Sequence, residues 1–152
     1  MGLRWVLAAL HLLALGIGLG AVWARRRALL GLLDPPGLRR VFYADAWWGA
    51  SAGLWIATGL LRAFGGFEKG AAYYLHNPLF LTKMGLLVAI LFLEMGPMMG
   101  LIRWRRELAR GLAPETGKAA AYARTSLVQA ILVVLMVFLA TGMARSVGAA
   151  SP

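Results

Sequence analysis

The side chains that could do chemistry here are those that are ionisable yet lie inside long apolar stretches: His11, Asp45, Arg62, Lys83 and Glu94. A charge in bilayer hydrocarbon costs about 2.5–3.5 kcal/mol on insertion scales, so such groups face inward and find partners. Neutral imidazole binds iron and titrates near neutrality, so His11 could be an axial haem ligand or a proton relay. It could equally make one interhelical hydrogen bond and do no more. Lys83 could pair with a carboxylate, bind a metal once deprotonated, or reach the headgroups. Arg62 could anchor an interface or hold a carboxylate. Glu94 is expected to pair with Arg or Lys across the helices, and Asp45 to cap a helix. His76 lies in a loop, as a solvated side chain or as part of a site.

The elements that position these groups follow from composition. The chain has 152 residues, 61% hydrophobic and 14% charged, with no cysteine. Soluble domains run to roughly 45–50% apolar and 25% charged. Disorder and a disulfide scaffold are therefore excluded. Four apolar stretches stand out, at about 3–24, 43–64, 79–102 and 119–144. Each is close to or above the ~20 residues that cross a bilayer as a helix. Lipid leaves no partner for open backbone, so the expected fold is an all-α integral membrane bundle of four transmembrane helices in a single domain. On this register His11 lies ~12 Å and Lys83 ~6 Å from the same end, with Arg62 close to it. Asp45 and Glu94 fall in the opposite half.

The net charge of +10 reads as topology. Arg25, Arg26, Arg27, Arg39, Arg40, Arg103, Arg105, Arg106, Arg110, Lys118 and Arg124 flank the first and third connections, eleven in all. Arg4, Arg62, Lys69 and Arg145 flank the other side, four in all. That imbalance predicts basic connections in the cytoplasm and both termini outside. The basic ends suit anionic lipid, and no soluble basic domain is left for nucleic acid. The first stretch is too long for a signal peptide, and three arginines follow it. Val6 breaks a myristoylation motif.

Other patterns are weaker. Gly16, Gly18, Gly20 and Ala21 mimic a dinucleotide fingerprint, but no strand precedes them. With Gly49 and Gly53 they are expected to allow close helix packing. Met84, Met95, Met98 and Met99 could form a soft Cu(I) site or plain packing. Trp47, Trp48, Trp55, Tyr73 and Tyr74 fit interface belts and bundle filler. Asp34-Pro35-Pro36-Gly37 reads as a chain break, and Asn77-Pro78 as a capped helix start.

The string Gly66-Phe67-Glu68-Lys69-Gly70-Ala71-Ala72-Tyr73-Tyr74-Leu75-His76-Asn77-Pro78-Leu79-Phe80 resembles a bacterial family of predicted four-span membrane proteins. That resemblance implies architecture only. A more distant one is to the HemJ-type protoporphyrinogen oxidases. It is carried by Ala9-Leu10-His11 in the first span and Lys83-Met84-Gly85-Leu86-Leu87 opening the third. It implies a b-type haem with His11 as metal ligand, and Lys83 as ligand or substrate partner. Arg62 and Lys83 would neutralise substrate carboxylates, and Arg62 and His76 join the cofactor-binding candidates. The substrate would be a tetrapyrrole or other lipophile entering from the bilayer, with quinone as electron acceptor, in the bacterial inner membrane. The Gly16–Gly20 run and the His76 loop depart from that family's pattern. The alternative is an accessory subunit or small transporter whose intramembrane charges pair structurally. A homo-oligomer is open on either reading.

Overall fold

A computed structural model describes residues 2–65 and 75–145. Helix α1 spans Gly2–Leu29, α2 Pro35–Phe64, α3 Pro78–Ala109 and α4 Ala119–Ala144. All four are long enough to cross a bilayer, and α1, α3 and α4 are also apolar enough. The described residues are thus an all-α bundle of the expected class. Helix α2 falls short on composition because Ser51, Thr58, Trp48 and Trp55 occupy its inward stripe.

The helices overrun the apolar stretches, and local chemistry sets their ends. Asp34 does not break the chain. Its carboxylate accepts from Gly37 N (2.8 Å) and caps α2, while Pro35 and Pro36 fill the first turn, where a missing N–H costs nothing. The Asn77 side chain accepts from Leu79 N (2.9 Å) and Phe80 N (3.3 Å), and Pro78 follows as expected. Helix α3 ends with Gly111 N bonded to Leu108 O and Leu112 N to Glu107 O. That pattern needs a left-handed residue, and Gly111 has φ 74°.

Buried positions on α1 are Leu7, His11, Ala14, Gly18, Ala21, Val22, Arg25 and Leu29. On α2 they include Val41, Ala44, Trp48, Ser51, Trp55 and Thr58. Steps of three and four alternate on both helices, the mark of knobs-into-holes packing. Only part of the expected small-residue packing occurs. A Cβ on Gly18 would meet Ser51 Cβ at 3.4 Å, whereas Gly16, Gly20, Gly49 and Gly53 have nothing nearby. Helix α1 packs closely on α2 and α4, and α3 on α4. In that last pair the Tyr122 ring lies against Gly100, where a Cβ would overlap it.

The core is uneven along the bundle. Leu29, Leu38, Val41, Leu101, Trp104, Ala119 and Ala123 fill the basic end. Val22, Trp48, Trp55, Ile90, Val133 and Met136 fill the middle. Toward the end that carries the chain termini, the buried cluster shrinks to Ala63 and Phe80, edged by Met84 and Met143. That end is where space remains.

Candidate functional site

Two polar layers sit inside the bundle. His11 and Arg25 share one stripe of α1, fourteen positions apart, which is ~21 Å along the axis.

The layer toward the termini is built on His11, which is buried. Its Nδ1 lies 3.0 Å from Thr58 Oγ1. The Thr58 hydroxyl donates to Leu54 O (2.7 Å), so its oxygen is left to accept from Nδ1–H. The tautomer with the proton on Nδ1 fits this network and leaves Nε2 unprotonated. The imidazole stacks on Trp55, with centroids 5.3 Å apart and planes at 18°. Gly59 permits this approach, since a Cβ there would stand 3.1 Å from His11 Cε1. From α3, Lys83 Nζ lies 5.6 Å from the Trp55 ring centroid, in cation–π range.

Beside these groups is a cavity of about 360 Å³. Its wall draws His11 from α1, Arg62 from α2, Lys83 from α3 and Met136 from α4. Such a volume lies within the range of small-molecule sites. His11, Arg62 and Lys83, chosen from sequence, therefore share one wall. His76 does not join them. It is exposed in the turn before the Asn77 cap, and the described lining of the cavity excludes it. Glu68, Lys69, Tyr73 and Tyr74 lie outside the described residues. Among the described residues no group of three or more His, Cys, Asp or Glu side chains gathers. The four methionines do not gather in one place: Met84 lines a cleft on the termini side, and Met95, Met98 and Met99 are exposed.

The second layer belongs to Arg25, which by its place in the sequence is expected among the loop cations. It is fully buried. Nε donates to Ser126 Oγ (3.1 Å). Nη1 donates to Asp45 Oδ1 (2.9 Å) and Glu94 Oε1 (2.7 Å). Nη2 donates to Glu94 Oε2 (2.9 Å) and Gln129 Oε1 (2.8 Å). All the N–H groups of a guanidinium are thereby used. Glu94 Oε2 also accepts from Trp48 Nε1 (3.0 Å) and Gln129 Nε2 (2.8 Å). Asp45 Oδ2 accepts from Arg105 Nη2 (2.8 Å). The expectation that Glu94 pairs across the helices holds. Asp45 is no cap; it sits inside α2 and bridges two arginines. Two cations and two anions balance in a layer that touches every helix. A readable signal existed: Arg25 continues the buried stripe of His11, Ala14, Gly18 and Ala21 at steps of three and four.

The family model described as "Predicted membrane protein (DUF2214)" matches residues 3–148. The match covers nearly the whole chain, which belongs to this family of predicted membrane proteins. No curated protein and no solved structure matches it.

Proposed function

We propose that this membrane protein binds a lipophilic, carboxylate-bearing ligand in the cavity beside His11, and that haem b is the first candidate. The observation that carries the reading is the convergence of His11, Arg62 and Lys83, from three helices, on one cavity of about 360 Å³. The donor set fits a haem. A neutral imidazole whose Nδ1–H is held by an acceptor presents Nε2 as a ligand, and such an outer contact fixes ring orientation. Trp55 Nε1, in the same wall, is buried with no partner among the described residues, a donor that a bound molecule could satisfy. Arg62 and Lys83 would neutralise propionates.

When bound, haem would supply one-electron redox chemistry. His11 would hold the iron, and the cavity wall would exclude water. By resemblance to the HemJ-type oxidases, the reading extends to oxidation of a tetrapyrrole or another lipophile with quinone as acceptor. It sets the protein in the bacterial inner membrane with both termini outside.

The absorption spectrum of the purified protein, oxidised and then dithionite-reduced, tests this. A Soret band with sharp reduced α and β bands is expected, lost in His11→Ala at unchanged expression. A featureless visible spectrum from haem-replete cells overturns the haem assignment, as does full haem occupancy in His11→Ala. A second reading, an accessory subunit without chemistry, is favoured by the Arg25 layer, whose charges are consumed by one another.

A further inference from the structure

A smaller cleft of about 60 Å³ lies between α2 and α3 and shares His11, Trp55 and Lys83 with the larger cavity. Its rim is Ile56, Leu60 and Phe64 from α2 with Met84 and Leu87 from α3. Leu60 and Phe64 are about half exposed (51% and 49%), so the cleft reaches the outer surface of the bundle. Helices α2 and α3 meet there through side chains rather than close backbone packing. Gly59, at the floor, is five residues inside the end of α2 at Phe64, or ~8 Å along the axis. The rim runs from Phe64 at that end to Ile56, eight residues or ~12 Å farther in, so in a spanning bundle its inner part faces acyl chains rather than water.

We propose that this cleft is a lateral portal through which a bilayer-dissolved molecule, with a hydrocarbon body and an acidic head, reaches the His11 cavity. The body matches the apolar rim. The acidic head matches the positive charge that Arg62 and Lys83 bring to the inner wall. The contact of Lys83 Nζ with the Trp55 ring spans the cleft from α3 to α2. The proposal rests on the cavity being a ligand site, but not on the ligand being haem.

The test uses the full chain in liposomes with a fatty acid that carries a photoactivatable diazirine at mid-chain. Illumination should leave adducts on Met136, which is buried and lines the cavity. The chain has no cysteine, so Ile56→Cys with Leu87→Cys can be bridged through two reducible disulfides by a short bis-methanethiosulfonate that acts nowhere else. Bridging should lower Met136 labelling severalfold, and reductive release should restore it. Labelling of exposed Phe92 and Phe138 should stay constant as the control. The portal is overturned if Met136 is never labelled, or if the bridge leaves its labelling unchanged. Should the bridged protein fail to fold, Leu60→Trp narrows the mouth by bulk and gives the same readout. Cavity labelling without a haem spectrum removes the cofactor and keeps the portal; a haem spectrum without cavity labelling does the reverse.

Discussion

His11 is held on three sides: Thr58 takes its Nδ1, Trp55 stacks on its face, and Gly59 leaves room for its edge. Each contact comes from one turn of α2, so the imidazole has little rotational freedom. The predicted tautomer carries the proton on Nδ1. Nitrogen NMR of labelled histidine checks this readily, because the chain has two histidines and His76→Asn leaves only His11. The wild type should show a protonated Nδ1 and an unprotonated Nε2. Thr58→Val should remove that preference, while Thr58→Ser should keep it. An Nε2-protonated wild type would reverse the assignment. Gly59→Ala should move the imidazole resonances as well, because the new Cβ, 3.1 Å from Cε1, makes the ring shift by a few tenths of an ångström against Trp55.

At the scale of the elements, Arg25 joins α1 to the other three helices through paired and hydrogen-bonded contacts. Removing one partner of a buried pair leaves an uncompensated charge and costs about 3–5 kcal/mol, whereas an exposed pair is worth less than ~1. Arg25→Ala should therefore lower the thermal unfolding midpoint in detergent far more than Arg103→Ala, whose own side chain is exposed. Arg25→Met combined with Glu94→Leu should regain part of the loss, because it removes both charges and keeps Asp45 with Arg105. Equal midpoints for Arg25→Ala and Arg103→Ala would show that the layer contributes no more than a surface pair.

At the scale of the whole molecule, one end is densely packed and basic, and the other holds the cavity. Positive charge at the packed end predicts that it faces the cytoplasm. The absence of cysteine makes the orientation directly measurable with single thiols. Leu32 is 79% exposed in the connection between α1 and α2. Leu32→Cys should resist an impermeant maleimide in intact spheroplasts and react once the membrane is opened. Gly2→Cys, at the opposite end, should react from outside. The reverse pattern would invert the topology and put the His11 cavity in the cytoplasmic half.

Apolar stretches of spanning length, proline and asparagine punctuation, and the asymmetry of arginines are local properties. They therefore made the helix number, the α3 start and the membrane class legible in the chain itself. The selection of His11, Lys83 and Arg62 was legible too, because an ionisable group in an apolar stretch is conspicuous wherever it points. The partners were not. Arg25 looked like the first of three loop arginines, since its burial depends on α1 running on to Leu29 and on which face meets α2, α3 and α4. Asp45 looked like a cap because α2 starts at Pro35, earlier than its apolar stretch. That His11, Arg62 and Lys83 share a cavity in one half of the bundle follows from their depths along the chain, but its size and shape do not, for they arise where four side-chain surfaces fail to meet. Hydrophobic length is set along the chain, one residue at a time. Pairing and empty space are set between helices, by rotation and register that only packing decides.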